Sequence, residues 1–364
     1  VTFHKEEGMA AQLDGFTITN GEAIEGGGIY CVNAYPRVVN CIITENSAGR
    51  GGGIYCESLA AFVQNRIIAN EADEGGGLFM NHASPVLESN IFAKNSADAG
   101  GGLYCYADAS PCIMNCTLYN NSVLSAGGGL FCVGSTPSVK NSIFWMNSAL
   151  FGPEINIYSG SVTVSHSDFT EGWSGEGNMA EDPQFLDPIF LDLHLAFTSP
   201  CINRGSNEGI PELDVEGEAR LHMGTVDMGA DECTETLPLE CDTFILPEST
   251  GGSVNFTLNG GEANAWQAYL LLGSVSGTLP GFPLPGGKVS LRLNWDIFTE
   301  FVVALLNTTA FYRFLNHLDV DGWSYAQLNT GPLPPGYAGL EIDFAYCLGW
   351  PWEFVSNPMR ITIE

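Results

Sequence analysis

Five glycine triplets, at residues 26–28, 51–53, 75–77, 100–102 and 127–129, each run straight into an apolar stretch. The units read GGGIYC, GGGIYC, GGGLFM, GGGLYC and GGGLFC, and their starts lie 25, 24, 25 and 27 residues apart. Glycine inside a strand or helix costs roughly 0.5–1 kcal/mol relative to alanine, so three in a row need a structural reason. Self-similarity at this period marks a solenoid, in which each repeat buries its apolar face only against its neighbours.

Two further markers keep the same beat. Asn46, Asn70, Asn95, Asn121 and Asn147 each close an apolar run, and Asn20 reads as an earlier copy. Proline stands at 36, 85, 111 and 137, with Ala61 in its place in one repeat. Val, Ile, Phe, Tyr and Thr fill the apolar runs, and Gly, Asn, Ser and Pro mark the bends, so each repeat reads strand, turn, strand, turn. No sustained 3.6-residue stripe supports helical repeats.

Coils of this length stack at ~4.8 Å as a right-handed parallel β-helix, and equivalent residues form ladders. Ile29, Ile54, Leu78, Leu103 and Leu130 make one inward ladder, and Cys31, Cys56, Met80, Cys105 and Cys132 a second. Strand alternation puts Tyr30, Tyr55, Phe79, Tyr104 and Phe131 on the opposite face. Asn20, Asn46, Asn70, Asn95, Asn121 and Asn147 are expected to bond side chain to side chain at a bend. The glycines are expected to turn a corner at positive φ and to let coils approach closely.

The "GGGIYC…P.V.NCIITENSA" unit resembles the repeats of secreted bacterial proteins of the pectin-lyase-like β-helix superfamily, over roughly residues 10–235. The segments "EDPQFLDP", "LHLAFTSPCINRGSN" and "GTVDMGADEC" resemble stretches that close the last coils of such proteins. Residues 241–364 resemble a β-rich C-terminal domain of related secreted proteins. The resemblance implies an extracellular or cell-surface location and no particular activity.

The repeat ends near "CTETLPLECD", which divides the chain into a β-helix with its closing segment (1–235) and a second domain (236–364). In the second domain "SVNFTL", "WQAYLLLG", "KVSLRLN", "FVVALLN", "LEIDFAYC" and "MRITIE" read as strands of a β-sandwich. The overall class is all-β. Lys plus Arg number 12 against 42 Asp plus Glu, a formal charge of −30, which argues against nucleic acid as a partner. No apolar run is long enough to span a membrane. The chain begins with Val1, which reads as a processed or trimmed product.

The cysteines of the repeats read mainly as small buried hydrophobes. Outside the ladders, Cys201 with Cys233 and Cys241 with Cys347 are candidate disulfides for an oxidising compartment, with connectivity left open. Enzymes of the resembled superfamily cleave acidic polysaccharides. Their hydrolase motifs (Asn-Thr-Asp, Asp-Asp, Gly-His-Gly and Arg-Ile-Lys) are missing here, and Lys5, Arg37, Arg50, Arg66, Lys94 and Lys140 do not fall at one repeat position. His4, His82, His166, His194, His222 and His317 show no metal-ligand spacing. Asp214, Arg220, Asp227 and Asp231 read as a structural Arg–carboxylate network closing the coil end.

One acidic cluster is sharper. Glu22, Glu25, Glu71, Asp73, Glu74 and Asp98 precede the glycine triplets, and stacking would align them as an edge able to offer oxygen ligands to Ca²⁺. A solvated acidic edge partly neutralised by Arg50 is the preferred reading. Asp319 and Asp321 in "LDVDGW" read as an Asp-Gly turn. These features favour a non-catalytic structural or adhesive surface protein that self-associates end to end as a homo-oligomer or homopolymer. The alternative is a polysaccharide-binding or polysaccharide-degrading protein, kept open by Trp173, Trp323, Trp350 and Trp352, since sugars stack on exposed rings.

Overall fold

The computed structural model describes the chain except Met9, Met223, Glu235, Thr236, Leu279, Trp350 and Pro351. It divides into two compact units, Val1–Ala196 with Pro200–Thr234, and Phe197–Ser199 with Glu235–Glu364.

The first unit is a parallel solenoid. Each regular coil visits four sheets rather than two. Sheets I, II and III hold seven strands each and sheet IV five. One coil shows the path: Ile54–Glu57 in sheet I, Ala61–Val63 in II, Arg66–Ile68 in III and Glu71–Glu74 in IV. The additional strands are only three to five residues long and mostly polar in sheet IV, so they carry no apolar signal of their own. Ala61 pairs with Arg37, which puts Ala60 and not Ala61 at the proline position.

The glycine triplets solve two separate problems. Gly26, Gly51, Gly75, Gly100 and Gly127 have φ between 64° and 69°, the left-handed corner. The next two glycines face stacked backbone: a Cβ on Gly52 would lie 2.3 Å from Glu71 O, and one on Gly53 would lie 2.6 Å from Gly77 O. No L side chain fits either contact.

The core is a set of ladders. Ile29, Ile54, Leu78, Leu103 and Leu130 stack in register, as do Cys31, Cys56, Met80, Cys105 and Cys132, and all are fully buried. The middle of the outward aromatic ladder, Tyr55, Phe79 and Tyr104, is also buried, and its ends Tyr30 and Phe131 are half-buried. Tyr30, Tyr55, Phe79 and Tyr104 stack face to face at 5.5, 5.6 and 4.9 Å, and Phe79 is 1% exposed. Each ring covers the next, and the glycine corners leave room for them to lie flat against the backbone.

Buried asparagines form the polar ladder. Asn70 Oδ1 accepts from Asn46 N and Nδ2, while Asn70 Nδ2 donates to Asn95 Oδ1 and to Ile43 O. Both donors and both acceptor positions of the amide are used, which offsets its burial. Asn95, Asn121 and Asn147 continue the pattern. Asn20 does not belong to it. Thr19 pairs with Thr44, so Asn20 falls opposite Glu45 at an exposed left-handed position (φ 57°), and Gly21 N donates to Asn46 Oδ1 in the ladder position. A second polar ladder runs between sheets II and III through Asn65, Asn90, Ser142 and Ser167.

The segment expected to close the last coils does two jobs. Residues 172–179 cover the final coil: Trp173 packs on Phe169 at 5.9 Å and Asn178 Oδ1 accepts from Ser167 N. From residue 181 onward the chain turns back along the solenoid flank. Gln64, Ser89, Asn115 and Asn141, at the same corner of four successive coils, donate to Asp214 O, Leu213 O, Asp227 O and Ser206 O.

In the second unit a four-stranded and a five-stranded sheet, mainly antiparallel, share one apolar core that includes Phe256, Leu258, Leu271, Phe344 and Ile361. The stretch "FVVALLN" is not a strand. Ile297–Ala304 is an α-helix, because Asp296 accepts from Phe298 N and Thr299 N in a capping box. Of "KVSLRLN", only Ser290–Leu291 is a strand.

Candidate functional site

The flank segment creates a cavity of about 330 Å³ against sheet III. Arg66, Ile91 and Thr117 form the solenoid wall, and Leu191, His194, Glu216 and Asp231 the facing wall. Two carbonyls and a hydroxyl position this wall. Arg220 is fully buried, and its guanidinium donates to Asp231 O, Ala230 O and Ser89 Oγ. Glu232 lies 3.7 Å from it. Asp214 and Asp227 instead accept backbone N–H groups, from Glu216 and Glu218 and from Asn203 and Cys233. The expected Arg–carboxylate network is therefore chiefly an Arg–carbonyl network with carboxylate-held turns. It lies on the flank and not at the coil end.

His194 sits at the cavity mouth. Asp192 Oδ1 lies 2.5 Å from its Nδ1, and its Nε2 is 3.6 Å from Glu216 Oε1 and 3.9 Å from Asp231 Oδ1. Arg66 pairs with Glu216. Burial pushes the Asp231 carboxyl up to about 7, and the neighbouring Glu216 and Asp214 charges add to the rise. Burial alone would lower His194, but Asp192, Asp231 and Glu216 raise it on balance. Among the described residues His194, Glu216 and Asp231 are the one His/Cys/Asp/Glu group with converging donor atoms, all within 4.8 Å of one another. Sequence spacing missed it because the three positions come from one strand and two separate non-repeating stretches. The dipeptide-scale pattern "DLHL", which places a carboxylate beside the imidazole, was the available signal.

The acidic edge lies elsewhere, on sheet IV, and does not converge. Arg50 stands between Glu25 and Glu74 in the register, 3.9 Å from the first and 2.9 Å from the second. Glu22 and Glu71 are two coils apart with Ser47 between them. Asp73 and Asp98 line the same shallow groove without a third donor gathered on them. Among the described residues no three donor atoms of this edge converge, and Arg50 bridges two of its carboxylates.

Residues 4–144 match the family model described as a right handed beta helix region. The repeat region is a right-handed parallel β-helix. No curated protein and no solved structure matches the chain.

Two of the β-helix cations are engaged on the flank: Lys94 Nζ donates to Ile189 O, and Arg66 donates to Glu216. The cysteines of the β-helix interior point into the core, where Cys31 Sγ meets Ser58 Oγ at 3.1 Å. Cys201 Sγ donates to Asp168 Oδ2 at 3.5 Å. The expected Cys241–Cys347 bridge is absent: Cys241 donates to Thr243 O and Cys347 to Leu270 O. Asp319 Oδ1 accepts from Asp321 N and Trp323 N, a plain turn. Trp173 and Trp352 pack against the two cores, Trp323 is 37% exposed, and Trp350 lies outside the described residues. Trp266 and Trp295 are more open, at 67% and 52%. Among the described residues no helix is long and apolar enough to cross a membrane.

Proposed function

We propose that this protein is a non-catalytic structural or adhesive rod of an extracellular surface, and that copies associate end to end. The observation that carries the reading is the pair of side-chain ladders running through the β-helix. A stack whose buried amides are satisfied mainly by the neighbouring coil is stiff and holds one register, which suits a spacer. Association is supported by the first coil. Its strands pair on one side only, and Phe3, Leu13 and Ile18 pack against the core while half-buried. Such an edge is a template for another strand, from a second copy or from chain ahead of Val1; with a second copy, a head-to-tail contact propagates into a filament or ring. The second unit we read as a β-sandwich. Light scattering and negative-stain imaging of the native-length protein test this. Concentration-dependent filaments or rings are expected, and a strict monomer at high concentration overturns the association.

A second reading, glycan binding, is favoured by Trp266 and Trp295. The stacked rings of the β-helix do not suit it, since their faces cover one another. Quenching of tryptophan fluorescence by a neutral polysaccharide, lost in Trp266→Ala and Trp295→Ala, would support that reading.

A further inference from the structure

We propose that His194 Nε2, Glu216 and Asp231 bind a divalent transition-metal ion of the zinc type at the mouth of the flank cavity. The three donors come from the strand Asp192–Leu195, from the turn after Asp214 and from the stretch beside Arg220's carbonyl partners. An ion there would tie three passes of the flank segment together.

Four observations converge. The separations of 3.6 and 3.9 Å from Nε2 to the two carboxylates suit ligands that share one ion. Bonds of about 2.1 Å in tetrahedral geometry place ligand atoms about 3.4 Å apart. Asp192 holds Nδ1, which assigns the proton to that nitrogen and leaves the Nε2 lone pair aimed at the carboxylates. Metal-binding imidazoles are commonly held this way, by a carboxylate behind the ring. Asp231 is only 8% exposed; its Oδ2 accepts a long bond from Leu195 N, and its Oδ1 faces Nε2 with no hydrogen bond among the described residues. Finally, once an ion displaces any proton on Asp231, Asp192, Glu216 and Asp231 carry three negative charges against one from Arg66, and a dication balances the remaining two. One imidazole with two carboxylates selects zinc, cobalt or manganese over calcium, which prefers six to eight oxygens. The cavity leaves coordination positions open to water.

The rival explanation is an ion-pair network around a protonated His194. Titrating the full-length, chelator-stripped protein with Zn²⁺ or Co²⁺ in excess Mg²⁺ separates the two. One equivalent is expected to bind and to raise the melting temperature, with cobalt d–d bands and no thiolate-to-cobalt charge transfer. His194→Ala and Asp231→Asn should abolish binding. Asp192→Asn should weaken it about 10- to 100-fold through the freed imidazole. The sheet IV variant Glu71→Gln/Glu74→Gln should bind as the wild type does. His194 is half-exposed, so its variant should keep the wild-type circular dichroism even if Asp231→Asn misfolds. No stoichiometric binding, thiolate bands, or binding unchanged in His194→Ala would each overturn the proposal.

Discussion

Asn147 Nδ2 donates to the buried Glu154 carboxylate, and this contact ends the asparagine ladder of the β-helix. Thr170 Oγ1 donates to the other carboxylate oxygen at 2.6 Å. A ladder of amides always has one donor left over at its last rung, and Glu154 is the acceptor that absorbs it.

The ladder sets the first prediction. Asn95→Ala removes the acceptor of Asn70 N and Nδ2 and the donor to Ile67 O. Each buried group left without a partner costs about 1–3 kcal/mol, so the variant should lose about 3–5 kcal/mol. Asn20→Ala, one residue off the ladder and exposed, should cost no more than about 1 kcal/mol, the strain of an alanine at its left-handed φ. Urea unfolding of both variants checks the contrast, and equal losses would contradict the ladder assignment.

Phe79 points away from the β-helix core yet is 1% exposed between Tyr55 and Tyr104. Arg50 also lies 5.5 Å from its ring centre. Phe79→Ala should therefore behave as a core truncation and lose about 3–4 kcal/mol. A loss below about 1 kcal/mol, as for an ordinary surface ring, would refute the stacked burial.

Asp168 predicts a pH dependence. Burial raises its carboxyl to about 7, despite hydrogen bonds from Glu181 N and Cys201 Sγ. Its folded pKa lies above the unfolded value near 4, so between the two the folded state binds more protons. The contribution is fully present below about pH 4 and is lost as pH rises through 7. It amounts to a few kcal/mol, on the order of 1.4 per pKa unit. Asp168→Asn should flatten the stability profile between about pH 4 and 7. A variant whose profile parallels the wild type would assign the dependence to other groups.

The sequence by itself determined the β-helix, its coil length and its inward ladders. In a stack, each position packs against the same position one coil away, so a repeated residue type directly reports a contact. The glycine corners were legible for the same reason. Tertiary structure alone decided the rest. Asn20 and Gly21 exchanged places because register follows the left-handed residue before the ladder, and several residue types occupy that position, Glu45 and Ala69 among them. The aromatic ladder became buried through stacking, which strand alternation does not report. "FVVALLN" turned helical because Asp296 capped it. The grouping of His194, Glu216 and Asp231 depends on non-repeating turns fixed by Arg220 and by the corner side chains Gln64, Ser89, Asn115 and Asn141. Contacts between one-off loops and distant coils have no period, so no pattern in the sequence announces them.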